Sequence, residues 1–177
     1  SFITGGKGTL ISKFEKWKGQ TGNCIFGTME FTLDDTYFMK KALQEAEAAY
    51  EKGEIPVGAV IVVNDRIIAR AHNLTEQLGD VTAHAEMQAI TAAANFLGGK
   101  YLRNCTLYVT LEPCQMCAGA LYWSQISKVV FGAYDPQRGF SAVGGKLHPK
   151  TELVGGIMEN EASALLRQFF IQKRNLN

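Results

Sequence analysis

A chain of 177 residues that is 46% hydrophobic and 20% charged is long enough to bury the core of one globular domain and leaves little room for a second. A formal net charge of +1 excludes nucleic-acid recognition by bulk electrostatics alone. The apolar stretch from Ile55 to Val63 is too short to cross a membrane, and the first residues lack the charged and apolar regions of a secretory leader, so no membrane association and a cytoplasmic location are expected.

Residues 1–28 are rich in glycine and have no clear amphipathic repeat. They read as an N-terminal extension, or as the product of an upstream misread start, with Met29 opening a single domain over 29–177. Thr36 to Lys52 places Phe38, Met39, Ala42, Leu43, Ala46 and Ala49 at helical spacing and stops at Gly53. Val57 to Val63 is β-branched and apolar, Asn64-Asp65 supplies a turn, and Arg66 to Ala71 forms a second strand, so a hairpin is predicted. Asp80 or Thr82 is expected to cap a helix that runs to about Phe96 and closes at Gly98-Gly99, with His84 and Glu86 in its first turn. Thr106 to Thr110 is a short strand, after which Pro113 opens a helix carrying Cys114 and Cys117 about one turn apart. Lys128 to Phe131 and Glu152 to Val154 are further strands, and a last helix starts at Asn160 or Glu161 and reaches about Arg174. Strands separated by helices predict an α/β sandwich around a partly parallel sheet.

The chemistry is concentrated in two short strings. His84-Ala85-Glu86 and Pro113-Cys114-Gln115-Met116-Cys117 offer one imidazole and two thiolates to a metal ion. Three protein ligands leave the fourth tetrahedral position of Zn²⁺ open, which is the pattern of a catalytic site. Glu86, two residues from the histidine, is then placed to move protons. A structural zinc site would need a fourth protein ligand, and only Cys24, Cys105, His72 and His148 remain among cysteine and histidine. Isolated Cys24 and Cys105 also argue for metal binding in a reducing compartment over a disulfide framework. Thiolates with imidazole favour zinc among the available metals. Asn73 reads either as a turn residue or as a substrate contact, and Asp135-Pro136 carries the same two readings. From Arg167 onward the chain holds Arg167, Lys173 and Arg174 beside Phe169 and Phe170 with no acid. That mixture suits phosphates and exposed bases, or an ordinary helix end with its cations at the negative pole of the dipole.

The H-x-E string followed by P-C-x-x-C is the pattern of zinc nucleobase deaminases. The run Thr106 to Ala120, with Ile55-Pro56-Val57-Gly58-Ala59-Val60, Thr82-Ala83-His84-Ala85-Glu86 and Val129-Val130-Phe131-Gly132-Ala133, resembles the bacterial tRNA adenosine deaminases of the cytidine deaminase-like superfamily. The likeness spans roughly residues 33 to 174. It implies a three-layer α/β/α sandwich with a central mixed five-stranded sheet, one Zn²⁺ per subunit and a homodimer. It also implies hydrolytic deamination of adenosine to inosine at the first anticodon position, with the tRNA anticodon loop as partner. By position, His84, Cys114 and Cys117 correspond to metal ligands and Glu86 to the proton shuttle. Asn73 and Asp135 fall at substrate-binding positions, and Phe169, Phe170, Lys173 and Arg174 in a C-terminal helix that approaches RNA. The same ligands also serve a free-base or nucleoside deaminase, guanine deaminase for example. A zinc-stabilised RNA-binding module without catalysis would make Glu86 incidental.

Overall fold

Alternation of buried side chains along the central strands decides the architecture. In the computed structural model, residues 34–176 are described, and the expected extension over residues 1–28 lies outside them. Five strands, β1 (Gly58–Val63), β2 (Arg66–His72), β3 (Thr106–Leu111), β4 (Lys128–Ala133) and β5 (Glu152–Val154), form one sheet in the order β2-β1-β3-β4-β5. β1 is antiparallel to both β2 and β3, whereas β3, β4 and β5 run parallel, so the sheet is mixed. The hairpin turn has Asn64 at φ +47° and Asp65 at φ +57°, the left-handed pair that a two-residue loop requires and that Asn and Asp accept.

Odd-numbered strand residues Ala59, Ile61, Leu107, Val109, Val129 and Phe131 share one core cluster with Ala85, Ala89 and Ala93 of α3 (Ala85–Leu97) and Leu121 of α4 (Gln115–Ser124). Even-numbered Val60, Val62, Tyr108 and Val130 share the other with Phe38, Met39 and Ala42 of α1 (Asp35–Glu51). A period of two thus sends successive side chains to opposite layers, giving the three-layer α/β/α sandwich. The last helix, α5 (Glu159–Leu176), packs on β4 beside α1. A four-residue helix, α2 (Thr75–Leu78), had no signal in the sequence pattern.

Asp34 caps α1 by accepting a hydrogen bond from the Tyr37 N–H at 2.8 Å. Gly58 sits where α1 crosses β1. A Cβ there would lie 2.8 Å from the Glu45 carbonyl carbon and would also meet the backbone of Ala42 and Ala46. No side-chain rotation relieves a clash with helix backbone, so only glycine lets the two elements approach this closely. No described helix is long and apolar enough to cross a membrane.

Gly58→Ala is expected to lower stability by about 2 kcal/mol or more through overpacking, read as a shifted midpoint in urea unfolding; an unchanged midpoint would show that the α1–β1 contact tolerates a methyl group.

Candidate active site

α3 and α4 begin side by side on one face of the sheet, and their first residues carry the candidate ligands. His84 is the N-cap of α3 and Cys114 the N-cap of α4, both with extended backbone. Neither Asp80 nor Thr82 performs the expected capping. Asp80 instead accepts hydrogen bonds from the Thr82 N–H at 2.8 Å and hydroxyl at 2.7 Å in a local turn. The N-terminus of α3 is satisfied from a distance: Asn73 Oδ1 accepts the Ala85 N–H at 2.9 Å. A free turn would leave His84 loosely oriented, whereas this bond ties the ligand's helix to the end of β2.

The His84 Nδ1 atom lies 3.7 Å from the Cys114 sulfur and 3.5 Å from the Cys117 sulfur, and all three ligand atoms fall within 4.8 Å of one another. Bonds of about 2.3 Å to sulfur and about 2.0 Å to nitrogen at a tetrahedral angle separate the two atoms by roughly 3.6 Å. The observed spacing is therefore that of a single zinc ion. Cys117 is fully buried and Cys114 partly so. Among the described residues this is the one such cluster of three. Cys105 and the two other histidines stand apart from it: Cys105 is buried at the head of β3, His72 contacts Lys52 and Glu45, and His148 stacks edge-on against Tyr122. Cys24 lies outside the described residues.

Charge is unevenly held here. A hydrogen bond from the Cys117 thiol, with help from His84, draws Cys114 down to about 4, so its thiolate is the favoured form. Cys117 moves the opposite way, because it donates to Cys114 and is buried. Hydrogen bonding to Cys114 raises the His84 imidazole above its ordinary value. Glu86, in the first turn of α3 and 3% exposed, has its carboxyl raised above the ordinary value, chiefly by burial.

The remaining expected residues divide. Asn73 is buried, with its carbonyl oxygen committed to Ala85. Asp135 is partly exposed, and its Oδ1 accepts the Gln137 and Arg138 N–H groups at 3.1 and 3.0 Å, as its turn reading requires. An open cavity of about 460 Å³ is bordered by Ile55, Leu111, Tyr134, Asp135, Arg138 and Phe170. Phe169 needs correction as an RNA-facing residue: it is 5% exposed, packs edge-on to Tyr50 at 5.9 Å between centroids and lies under the Lys173 ammonium. Adjacent positions on a helix point about 100° apart, so Phe170 remains half-exposed while its neighbour fills the core. Lys173 and Arg174 are exposed.

Two buried carboxylates were missed by sequence reasoning. Glu54 is fully buried and accepts hydrogen bonds from Thr75 Oγ1 at 3.1 Å, Glu76 N at 3.1 Å and Gln77 N at 2.8 Å, which fastens α2 next to Asn73. Burial opposes its ionisation, but those bonds outweigh burial and its carboxyl lies below the ordinary value. Glu112, 4% exposed, bonds across to Asp135 and Ser141. The one signal was an acid next to an apolar run in each case, Glu54 just before Ile55-Pro56-Val57 and Glu112 just after Leu107 to Leu111.

Residues 32–133 match the family described as the cytidine and deoxycytidylate deaminase zinc-binding region. A tRNA-specific adenosine deaminase of Bacillus subtilis (strain 168) is 48% identical over 146 residues, covering 79% of this chain and 91% of its own length. A solved structure from a study of A-to-I editing by tRNA:A34 deaminases at the wobble position superposes with a TM-score of 0.68 at 42% identity, covering 74% of this chain and 99% of that one. The guanine deaminase structure from Bacillus subtilis is 38% identical with a TM-score of 0.53, covering 60% of this chain and 66% of that one.

Cys114→Ala is expected to purify with far less than one zinc per chain, because two ligands hold the ion much more weakly than three. Atomic absorption on the purified variant checks this, and a full complement of zinc would remove Cys114 from the ligand set.

Proposed function

The chain belongs to the tRNA-specific adenosine deaminases of the cytidine and deoxycytidylate deaminase zinc-binding family, and from that membership we propose that it hydrolyses adenosine to inosine at the first anticodon position of tRNA. The observation that carries the proposal is the trio of His84, Cys114 and Cys117 at zinc-binding distances, with the carboxylate of Glu86 buried two residues beyond the histidine.

Zinc, when bound by those three side chains, supplies the Lewis acidity that makes water nucleophilic near neutral pH. The chain's own residues do the rest. Glu86 takes a proton from the attacking water and delivers it to a ring nitrogen, then takes the remaining proton of the added hydroxyl and gives it to the departing amine, so that ammonia leaves and the hydroxyl oxygen remains as the inosine carbonyl. Burial suits it to this traffic, since a carboxyl raised above its ordinary value is a stronger base toward water's proton. The N-termini of α3 and α4 add the positive ends of two helix dipoles, which favour thiolate at the ligands and developing negative charge on the base. Asn73 has its oxygen committed to Ala85, so its amide nitrogen is the end left to donate to the base.

An RNA substrate needs room and cations beyond the reacting base. The cavity bordered by Tyr134, Asp135, Arg138 and Phe170 offers an aromatic ring and a guanidinium together, and exposed Lys173 and Arg174 follow on the same helix as Phe170. Homodimerisation accords with exposed apolar side chains on the two ligand-bearing helices, Phe96 of α3 and Met116 and Trp123 of α4. A cytoplasmic site of action accords with the free thiols at Cys105, Cys114 and Cys117.

Guanine deamination is the second reading, favoured by the 38% identity to the guanine deaminase structure. The lower coverage of both chains in that match ranks it below the tRNA reading.

Zinc-loaded protein incubated with an anticodon stem-loop bearing adenosine at the first anticodon position is expected to yield inosine there, read by nucleoside mass spectrometry; absence of product from folded, metal-bearing protein, with turnover of guanine, would move the assignment to the second reading. Glu86→Gln should retain zinc and fold while losing about a hundredfold or more in kcat, since general acid–base catalysis contributes roughly 10²–10⁴-fold. Undiminished turnover by that variant would exclude Glu86 as the shuttle.

A further inference from the structure

Burying a carboxylate is unfavourable unless its oxygens are fully hydrogen-bonded, so the partners of Glu112 show what it is there to hold. It follows directly on β3 and precedes the first cysteine ligand by two residues. Among the described residues no cation pairs with it. Its Oε2 accepts the Asp135 N–H at 3.1 Å, and its Oε1 accepts both the N–H of Ser141 at 3.1 Å and the Ser141 hydroxyl at 2.5 Å. Its own N–H donates to the Ala133 carbonyl at 2.8 Å. One side chain therefore grips both ends of the segment from Asp135 to Ser141.

That segment lies directly on the metal-binding strand end. Phe140 N–H donates to the Pro113 carbonyl at 2.9 Å, and Gly139 forms an isolated β-bridge with Cys114. A Cβ on Gly139 would stand 2.5 Å from the Glu112 carboxylate and 2.5 Å from the Asp135 carbonyl, so the two segments pack without a side chain between them. Between the two gripped ends lie Gln137 and Arg138, which border the cavity together with Tyr134 and Asp135.

We propose that Glu112 is a positioning residue: its buried carboxylate clamps residues 135–141 onto the segment bearing Cys114 and Cys117 and thereby sets where Asp135 and Arg138 meet the RNA. The proposal rests on the reading of the chain as a tRNA deaminase. Its functional signature is a split between binding and chemistry. Glu112 makes no contact with a ligand side chain or with Glu86 among the hydrogen bonds of the site, so releasing the clamp weakens the grip on RNA and leaves the reacting groups in place.

The test is steady-state kinetics of zinc-loaded Glu112→Gln and Ser141→Ala on the adenosine-bearing stem-loop, with zinc content measured alongside. Glutamine keeps one acceptor and turns an N–H₂ group toward backbone donors, which is expected to raise KM about tenfold or more, the scale of losing a hydrogen bond to a charged group, with kcat within about threefold and one zinc per chain. Ser141→Ala removes the hydroxyl donor alone and should raise KM in the same direction by less. The double variant should be no worse than Glu112→Gln, because both changes open one clamp. A purely structural role would lower the active fraction and hence kcat at unchanged KM, and that result overturns the proposal. If Glu112→Gln does not fold, Ser141→Ala decides by itself, an unchanged KM being the overturning result. Amide hydrogen exchange reads the clamp without substrate: Asp135 and Ser141 should lose protection in Ser141→Ala and Glu112→Gln, and full protection in both overturns the clamp. A wild-type enzyme that turns over no stem-loop would sink the tRNA reading, and exchange would still decide the clamp.

Discussion

Two helices that start next to each other on one face of a mixed sheet bring a nitrogen within 3.7 and 3.5 Å of two sulfurs from residues thirty or more positions away. Those separations tolerate little error, because a metal bond is lost within a few tenths of an ångström. Much of the architecture serves that tolerance. The small residues Ala85, Ala89 and Ala93 let α3 lie close on the sheet, and the parallel β3–β4 pair fixes the start of α4 at the end of β3. Gly58 allows α1 to press on the opposite face without displacing β1. The site is thus held by packing on both sides of the strand layer as well as by its own ligands.

Three buried carboxylates around this centre have two kinds of environment. Glu54 and Glu112 are satisfied by backbone N–H groups of neighbouring segments, which is the strongest way to fix a loop without adding bulk. Glu86 has burial as its dominant influence, so its carboxyl is raised while that of Glu54 is lowered. The distinction follows from the surroundings: hydrogen bonds outweigh burial at Glu54, whereas burial outweighs them at Glu86. Asn73 links two of them, since it follows β2, lies beside the helix that Glu54 fastens, and caps α3 at the residue before Glu86.

Most of the secondary structure was readable from local pattern. The hairpin at Asn64-Asp65, the helix ending before Gly53 and the five strands follow from apolar periodicity and turn residues that act over a few positions. Capping of α3 was not readable, because the acceptor for Ala85 comes from Asn73, twelve residues upstream, and a nearer Asp80 and Thr82 had a stronger local claim. Helix α2 was invisible for a related reason: four residues with no apolar stripe are held by a carboxylate more than twenty positions away. Phe169 and Phe170 looked equivalent as a pair, and only the packing of α5 against Tyr50 separates them.

By itself the sequence supplied the candidate metal ligands and the carboxylate beside one of them, since ligand type and the spacing of a cysteine pair along one helical turn are local properties of the chain. It equally determined which stretches are strands and helices, since periodicity is read over a few residues. Only the tertiary structure decided that His84 belongs with Cys114 and Cys117 at bonding distance, that Glu54 and Glu112 are anchors, and which of two adjacent phenylalanines faces outward. These are relations between residues distant in sequence, and their energies come from desolvation and hydrogen bonding that exist only once the layers have closed.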